Sequence, residues 1–509
     1  MRRLALLIAY LLVAAALLAA HEPWRDELQS WSIARESASL GELIAQTRYE
    51  GHPSGWYLLL FALTRLSSDF RAVQALHLIL MAMAIALLIW RAPLSGLQKA
   101  LAVFGYFLLY EYAVLARNYA LGVLALFAFC ALARDWRRYW LWMQLCLLVM
   151  LQANAFAGML AVALFIASGL HAQRRAGRER DLRGPLALGA LLFAGGLVLS
   201  VFDVRVPPDA SFMPAWHWRD PALATLLRAT AHAFLPIPQL SLHFWNTSLL
   251  STISPPGSLP WLEALLALLA MLLAFLILRR RPLALLGFAL AAAAIGTLLA
   301  VKYMGFIRHH GHLFLALLGA YWLGESLAAA EHRPAARRSG RAPQSALLTL
   351  LLALQVPASL PAAWYELRYP FSRSRETAAF IRASGWDRGA LIGYPDYAAS
   401  AVAMGLALPI HYPESGRQGS FLIWNAQRAP NPTLDIASAT RRLARERGRV
   451  LLVANLPLPP AALGEDLKPL ASFAPAIEAS EAYYLYAATA DADATGDQGL
   501  GYNGAAPQP

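Results

Sequence analysis

Apolar segments and short basic clusters alternate along most of the chain. An apolar segment of roughly 20 residues is long enough for an α-helix to cross a hydrocarbon layer of ~30 Å, although several segments here are shorter. The pattern predicts a mainly α, polytopic membrane protein. Its helices, about eleven in number, are predicted near residues 4–20, 72–90, 98–113, 119–133, 139–153, 155–170, 185–202, 260–278, 283–301, 306–324 and 345–361.

Two apolar segments allow a second interpretation. Residues 1–20 have a basic start, an apolar stretch and small residues at the end, which also fits a cleavable signal peptide. A retained anchor is preferred because many further spans follow. Residues 53–66 are apolar too, but a full span there would move the later arginine clusters across the membrane. We therefore predict a juxtamembrane or partly inserted helix at 53–66.

The basic clusters decide the predicted orientation. Under this count they all fall on one side of the membrane, which the positive-inside rule makes cytoplasmic. The clusters are Arg2 with Arg3, Arg91 with Lys99, Arg134 with Arg137 and Arg138, the stretch 174–183, residues 279–281, and Arg333 with Arg337, Arg338 and Arg341. The N-terminus is then cytoplasmic, and the loops 21–71, 111–118 and 203–258 lie outside.

The composition changes after residue 361, where the predicted transmembrane domain 1–361 ends. Helical stretches such as SRETAAFIRASGW, DYAASAVAMGL and ASATRRLARERG alternate with the β-rich segments ALIGY, LPIHY, RVLLVANL and YYLYAA. This alternation predicts a small extracytoplasmic α/β domain over 362–489. Residues 490–509 are rich in Gly, Ala, Asp and Pro, and we expect them to be disordered.

Composition and charge narrow the class of protein. The 509 residues are 58% hydrophobic and 15% charged, which is unlike a soluble protein. The net charge is +12, but the basic residues lie in clusters between apolar segments, as in membrane loops, so we expect no nucleic-acid partner. The only cysteines, Cys130 and Cys146, lie in apolar segments and support neither a disulfide framework nor a thiolate metal site.

Three carboxylates follow the first apolar segment, in HEPWRDELQSW. Trp24, Leu28 and Trp31 recur at helical spacing, which predicts an amphipathic helix at the outer membrane surface with Asp26 pointing away from the apolar stripe. A carboxylate beside apolar walls can accept a proton from a hydroxyl group. The alternative is that Asp26 and Glu27 only favour the positive end of a surface helix.

A second polar cluster lies in RYEGHPSGWY. Glu50 and His52 precede a proline that begins a new helix, and Tyr57 follows in its first turn. The imidazole can bind a phosphate or a metal there, or the stretch is simply a turn.

Two further polar stretches fall on the same predicted side. In YEYAVLARNYALG, Glu111 and Arg117 lie between apolar segments, where ionisable groups face protein or water rather than lipid, unless they merely pair with each other. KYMGFIRHHGHLF predicts an anion-binding site, particularly for phosphate, at the outer end of a helix, formed by Lys302, Arg308, His309, His310 and His312. The alternative is that Lys302 and Arg308 snorkel to the interface. His309 and His312 share a helical face but lack a third ligand for zinc.

Three of these stretches, RDELQSW, YEGHPSGWYLLLF and EYAVLARNYALG, together with the RHHGH helix, resemble the GT-C superfamily of membrane glycosyltransferases. The likeness is closest to the protein-mannosyltransferase-like and aminoarabinose-transferase-like branch. It covers about the first 330 residues in architecture, and its specific motifs lie in about the first 125. It implies an enzyme of the bacterial inner (plasma) membrane that transfers a hexose or pentose from a polyprenyl-phosphate carrier to a lipid, glycan or protein acceptor. The transfer inverts the configuration at the anomeric carbon of the sugar.

The resemblance also implies roles for single residues. Asp26 would be the general base that activates the acceptor hydroxyl, with Glu27 as its neighbour. Glu50 and His52 would position the donor phosphate or, in some members, a divalent metal. The full set expected to bind the donor phosphate or the substrate is Glu50, His52, Tyr57, Glu111, Arg117, Tyr119, Lys302, Arg308 and His309.

Two departures from the family pattern stand out. The HPP motif of relatives is HPS here, and Asn118 occupies the place beside Arg117 where relatives keep an acidic residue, so the role of that loop is open. The competing classes are a transporter or flippase of a lipid-linked sugar and a non-catalytic membrane assembly protein. A transporter should carry ionisable residues near the bilayer midplane, whereas this chain is predicted to keep its charges at one rim.

Overall fold

The computed structural model describes residues 1–176, 180–211, 218, 220, 222–253, 260–331, 342–428 and 435–489. The described chain divides into two compact units. The first contains residues 1–373 with the returning segments 421–428 and 475–481, and the second contains 374–420, 435–474 and 482–489. The first unit thus extends beyond the predicted boundary at 361 and takes two segments from the C-terminal part. The predicted disordered tail, 490–509, lies outside the described residues.

The first unit is helical. Its helices are Arg2–Ala20 (α1), Arg25–Glu36 (α2), Leu40–Thr47 (α3), Gly55–Thr64 (α4), Arg71–Arg91 (α5), Gly96–Val103 (α6), Tyr119–Leu132 (α7), Trp136–Ala153 (α8), Ala155–Ala176 (α9), Arg183–Asp203 (α10), Leu223–Phe234 (α11), Leu250–Ile253 (α12), Trp261–Leu278 (α13), Pro282–Val301 (α14), Ile307–Ala330 (α15), Ala342–Ala353 (α16) and Val356–Arg368 (α17).

Nine helical stretches within the described residues are long and apolar enough to cross a membrane, as in an integral membrane protein. They are Arg2–Ala20, Arg71–Arg91, Tyr119–Ala153, Ala155–Arg175, Arg183–Asp203, Trp261–Leu278, Pro282–Val301, Ile307–Ala330 and Pro343–Arg368. The stretch Tyr119–Ala153 contains both α7 and α8, which were predicted separately and are joined by the 3-10 turn Ala133–Asp135. At 10 residues α4 is about 15 Å long, which agrees with a short helix rather than a span at 53–66.

The predicted span 98–113 is not one long helix. It consists of α6, a break at Gly105 and a π-helical turn, Phe107–Glu111. The break brings the backbone close to Gln355, whose carbonyl accepts a hydrogen bond from the backbone N–H of Tyr106 (3.1 Å). A Cβ on Gly105 would come within 2.8 Å of the Gln355 Cβ. A protein group, the carbonyl of Gln355, thus satisfies part of the irregular backbone at this break.

Helices α9 and α15 of the first unit each have one cavity at their N-terminal end and another at their C-terminal end. Their N-terminal ends, at Ala155 and Arg308, line one cavity, whereas Arg175 and Glu331 at their C-terminal ends line another. Because α9 has 22 residues, it is about 33 Å long. The two cavities therefore lie at opposite ends of the helices, and the cavity at the C-terminal ends holds arginines from two of the predicted cytoplasmic clusters.

The second unit is a small α/β domain, as predicted. Its elements are Ser374–Ala383 (α18), Ala390–Tyr394 (β1), Asp396–Leu406 (α19), Ile410–Tyr412 (β2), Arg417–Gly419 (β3), Ile436–Arg447 (α20), Arg449–Ala454 (β4), Pro460–Leu463 (α21), Leu467–Phe473 (β5) and Tyr483–Thr489 (β6). The sheet has the order β3-β2-β1-β4-β6-β5. Strand β1 pairs in parallel with β2 and β4, and the other pairs are antiparallel.

The sequence pattern identified four of the six strands. The hydrophobic core of the second unit includes Val450 and Leu452 of β4, Ile392 of β1, Tyr486 of β6 and Ile436 of α20. The short edge strand β3 and the mostly exposed edge strand β5, which has a bulge at 469/471, were not predicted. Both lack the continuous apolar pattern of a buried strand.

Candidate functional site

A cavity of about 410 Å³ lies at the end of the helical unit where α9 and α15 begin. Seven residues predicted for the site line it: Asp26, Glu50, His52, Arg117, Tyr119, Arg308 and His309. The other lining residues are Tyr49, Gly51, Asn154, Ala155, Phe156, Leu298, Tyr303 and Trp424. Segments far apart in the sequence thus converge on one space that has acidic, cationic and aromatic walls.

Helix α2 presents Asp26 to this cavity. Trp24, Leu28 and Trp31 are buried, so the predicted apolar stripe faces the protein. The side chain of Asp26 is 34% exposed and lines the cavity. The prediction that Asp26 points away from the stripe is therefore confirmed.

Two guanidinium groups face the Asp26 carboxylate. Its Oδ2 atom is 3.5 Å from Nη1 of Arg117 and 3.9 Å from Nη2 of Arg308. Both arginines are buried, with 9% and 8% of their surface exposed. These distances are those of ion pairs rather than of direct hydrogen bonds, so the carboxylate does not saturate either guanidinium group. The Asp26 carboxylate can accept a proton, and the two guanidinium groups beside it can bind an anion.

The two arginines are held in different ways. Nη1 of Arg117 donates a hydrogen bond to the backbone carbonyl of Asp26 (2.5 Å). Arg308 donates to Oδ1 of Asn246 (3.3 Å), and its guanidinium carbon lies 5.4 Å from the ring centroid of Trp24 and 5.1 Å from that of Trp245. Stacking on aromatic faces restrains a guanidinium group without neutralising it. Arg117 is thus held by a backbone hydrogen bond and Arg308 by Asn246 and two aromatic rings, and both line the cavity.

The stretch around Gly51 is both a turn and part of the cavity wall. Gly51 has φ 68°, a left-handed conformation that suits glycine, and the turn brings Glu50 and His52 to the cavity. Glu50 accepts hydrogen bonds from Nε2 of Gln29 (2.9 Å) and from the hydroxyl of Tyr57 (3.2 Å). Burial raises the pKa of the Glu50 carboxyl to about 7.

The imidazole of His52 lies next to Arg117. Its Nε2 atom is 3.4 Å from Nη2 of Arg117. Burial, and then the charge of Arg117, lower the pKa of His52 to about 3, so the ring is neutral at pH 7. Because a guanidinium group has only donors, Nε2 is the acceptor and the ring proton is on Nδ1. Within the described chain this Nδ1 atom has no hydrogen-bond partner.

The N-terminus of α9 supplies neutral donors to the same cavity. Oδ1 of Asn154 accepts a hydrogen bond from the backbone N–H of Ala157 (2.9 Å), while its Nδ2 atom has no partner among the described residues. Asn154, Ala155 and Phe156 line the cavity. The positive end of the helix and the amide are both suited to an oxygen-rich or anionic group.

The histidines after Arg308 have structural partners. Nδ1 of His309 accepts the backbone N–H of Phe306 (2.9 Å), and its Nε2 lies 3.2 Å from the hydroxyl of Tyr119. His312 contacts the backbone carbonyl of His309 through Nδ1 (3.2 Å). His309 therefore caps α15 and orients Tyr119 instead of forming a zinc pair with His312.

Four predicted site residues do not line the cavity: Glu27, Tyr57, Glu111 and Lys302. Tyr57 contacts Glu50 instead, donating a hydrogen bond from its hydroxyl to Oε2 (3.2 Å). Lys302 places its ammonium group 4.9 Å from the ring centroid of Trp218. Glu111 is buried, where it accepts hydrogen bonds from Tyr106 (2.8 Å) and Trp245 (3.3 Å), so the alternative of a simple Glu111–Arg117 pair is wrong.

Glu27 has a different role from the one predicted. It is buried, and its oxygens accept hydrogen bonds from the backbone N–H groups of Trp24 (3.1 Å) and Ala116 (2.5 Å). Nε2 of His21 lies 2.9 Å from the same carboxylate. Glu27 therefore ties α2 to the loop that carries Arg117, and Asp26 alone of the two faces the cavity.

Glu50 and His52 do not fit a divalent metal. Both carboxylate oxygens of Glu50 already accept hydrogen bonds, and the Nε2 atom of His52 faces a guanidinium group that would repel a cation. Within the described part of the chain, no group of three or more His, Cys, Asp or Glu side chains could hold a metal ion.

Sequence reasoning missed several lining residues. Tyr49 and Tyr303 lie inside the polar stretches that it singled out. Trp424 belongs to the returning segment 421–428 and had no sequence signal. The side chain of Gln29 holds this segment, donating to the carbonyl of Leu422 (2.8 Å) and accepting its N–H (3.0 Å). No protein-family model matches the chain, and no curated protein matches it in sequence.

Proposed function

We propose that the chain is an inverting glycosyltransferase of GT-C type that moves a sugar from a polyprenyl-phosphate carrier to an acceptor hydroxyl at the extracytoplasmic membrane face. One observation carries the proposal: the Asp26 carboxylate lies between Arg117 and Arg308 in a cavity at one end of apolar, membrane-length helices. This end is opposite the arginine-lined cavity, so the positive-inside rule supports an outer location.

The two guanidinium groups are suited to the donor phosphate. A phosphate accepts charge-assisted, bidentate hydrogen bonds from arginine, and neither arginine is saturated by Asp26 at 3.5 and 3.9 Å. In this proposal the phosphate of the lipid carrier binds beside the two buried cations. Among the described residues, Nδ2 of Asn154 and Nδ1 of His52 are buried donors without a hydrogen-bond partner, and both residues line this cavity.

Asp26 is suited to accept the acceptor's proton. The acceptor oxygen attacks the anomeric carbon from the face opposite the phosphate and forms the new C–O bond. The bond from the anomeric carbon to the phosphate oxygen breaks, the carrier leaves as polyprenyl phosphate, and the hydroxyl proton goes to Asp26. Arg117 and Arg308 stabilise the charge that develops on the leaving phosphate. A phosphate leaves without an acid catalyst, so a second carboxylic acid is unnecessary.

The decisive experiment measures release of polyprenyl phosphate by the full-length protein in proteoliposomes supplied with polyprenyl-phosphate hexoses or pentoses and lipid, glycan or peptide acceptors. Asp26→Asn should lower turnover by about 10² to 10⁴-fold and leave folding intact, because the side chain is partly exposed. Glu36→Gln is the matched control, since Glu36 is an exposed carboxylate on the same helix and should leave turnover unchanged.

The same vesicles distinguish the competing functions. A flippase would move the intact labelled donor across the bilayer without consuming it, and Asp26→Asn would then affect movement rather than cleavage. An assembly protein would neither cleave nor move the donor. Turnover by Asp26→Asn equal to that of the unmodified chain would remove Asp26 from the role of base.

A further inference from the structure

A second cavity lies at the other end of the helices, and the proposed transfer does not use it. It has a volume of about 340 Å³ and is bounded by the ends of α9 and α15 and the start of α14. Four arginines line it: Arg174, Arg175, Arg280 and Arg281. Pro282, Leu283, Ala284, Leu327 and Ala328 give it an aliphatic side. A cavity of this kind matches a ligand with one strongly anionic part and one apolar part.

The cavity has a surplus of positive charge. Glu331 pairs with Nη2 of Arg175 (2.5 Å), and Glu325 accepts a hydrogen bond from Nε of Arg281 (2.9 Å). Among the described lining residues there are four arginines and one carboxylate, Glu331, so the lining carries a net positive charge. Arginine pairs bidentately with phosphate oxygens, so a phosphate group complements this surplus in both charge and geometry.

The helix that borders the cavity adds donors of the same kind. Helix α14 begins at Pro282, and the N–H groups of Leu283 and Ala284 belong to its first turn, where no intrahelical acceptor exists. The positive end of the helix is thus directed toward the arginine cluster.

A buried histidine also lines the cavity. His171 is 7% exposed, and its Nε2 atom has no hydrogen-bond partner in the described part of the chain. Its Nδ1 atom lies 3.8 Å from the Glu331 carboxylate, and its ring packs edge-on against Trp136. A buried ring nitrogen without a partner is costly unless a ligand or water satisfies it.

We propose that this cavity is a binding site for a phosphate group, carried by an anionic phospholipid or by a soluble phosphate, at the membrane face opposite Asp26. The aliphatic wall favours the lipid, because the first carbons of a lipid can lie on Leu327 and Pro282 while its phosphate meets the arginines. The site is independent of the proposed transfer reaction, since it lies at the opposite ends of α9 and α15.

The test measures binding by the purified full-length protein in neutral detergent, using native mass spectrometry and thermal unfolding. The probes are dioleoyl phosphatidylglycerol, dioleoyl phosphatidylcholine and inorganic phosphate. The variant Arg174→Gln/Arg280→Gln removes two exposed cavity cations, and Arg183→Gln/Arg279→Gln, with two exposed arginines outside the lining, is the matched control. Ala328→Glu is a second variant that adds a negative charge to the lining without removing an existing pair.

We expect phosphatidylglycerol to bind the unmodified and control proteins at least tenfold more tightly than it binds either cavity variant. Phosphatidylcholine should not show this difference. Stabilisation by phosphatidylglycerol alone identifies a lipid ligand, stabilisation by inorganic phosphate alone identifies a soluble one, and both results support the site provided the cavity variants lose the effect. Equal binding of the probes to cavity and control variants, or no binding by the unmodified protein, overturns the proposal.

Discussion

The Nε2 atom of His21 lies 2.9 Å from Oε2 of Glu27 in the interior of the helical unit. The other ring nitrogen of His21 lies 2.9 Å from Oε1 of Glu366. Burial opposes protonation of the ring, but the two carboxylates outweigh it and raise the pKa of His21 to about 10. An imidazolium ion thus joins the end of α1 to α2 and α17, and through Glu27 it supports the loop that ends at Arg117.

Replacing His21 should destabilise the helical unit. His21→Gln leaves two buried carboxylates without their shared cation, and breaking a buried ion pair in this way costs about 3 to 5 kcal/mol. We expect the melting temperature in detergent to fall by several degrees. The exposed His243→Gln is the control, and a melting temperature for His21→Gln that matches this control would contradict the structural role of the triad.

The same triad predicts a pH dependence of stability. The folded-state pKa of His21, about 10, is above its ordinary value near 6.5. Its contribution to stability is therefore fully present below about pH 6.5 and is lost as the pH rises through 10. Unfolding measured from pH 6 to 10.5 should show a steeper loss for the unmodified chain than for His21→Gln. Parallel curves would show that His21 is not the group responsible.

The predictable part of the site is the part that is local in sequence. Helical spacing of Trp24, Leu28 and Trp31 fixes which face of α2 is buried, and Asp26 follows on the other face. The same local pattern cannot show that the neighbouring Glu27 contacts His21 and accepts a hydrogen bond from the N–H of Ala116. Those partners depend on how distant segments pack. Two adjacent carboxylates therefore look alike in the sequence and differ in the structure.

The fold shows the same limit. The apolar character of 98–113 correctly predicts burial, but apolar composition does not report whether a segment is one helix. The break after α6 is stabilised by Gln355, which also donates to the carbonyl of Phe234 (3.0 Å) and lies between two apolar helices. Trp424 is a similar case, because its place in the cavity wall depends on Gln29 binding Leu422 far along the chain.

Arg117 should matter for donor binding more than for folding. Arg117→Gln removes one of the two cations beside Asp26, and charge-assisted hydrogen bonds contribute about 1.5 to 3 kcal/mol, so the donor KM should rise about 10- to 100-fold. Arg117→Lys restores the positive charge but not the planar, bidentate guanidinium group, so it should reverse only part of the rise in donor KM. Arg35→Gln, a partly exposed arginine of α2 outside the cavity lining, is the control.

A variant Arg117→Gln with an unchanged donor KM and a lower kcat would point to a different role, in which the arginine acts only on the reacting state. A variant that fails to purify as a folded protein would be replaced by Arg308→Gln. Arg308 faces the same Oδ2 atom of Asp26 from another helix and should show the same rise in donor KM.

The Glu50 carboxyl should give donor binding a pH dependence near neutrality. Its pKa is raised to about 7 by burial, so it is neutral below that pH and ionised above it. Ionisation adds a second negative charge to the cavity that holds Asp26, which weakens binding of an anionic donor. The sugar-linked donor is a phosphodiester with one negative charge throughout this range, so the change belongs to the protein. We expect donor KM to rise from pH 6 to 8 in the unmodified chain.

Two variants isolate this effect. Glu50→Gln keeps the shape and cannot ionise, so its donor KM should be flat from pH 6 to 8 and close to the low-pH value of the unmodified chain. Tyr57→Phe removes the hydroxyl that donates to Oε2 of Glu50 at 3.2 Å and favours the ionised form, so the rise in KM should move to higher pH. If Glu50→Gln keeps the full pH dependence, another group controls it, and Glu50 serves only to hold Gln29 and Tyr57 in place.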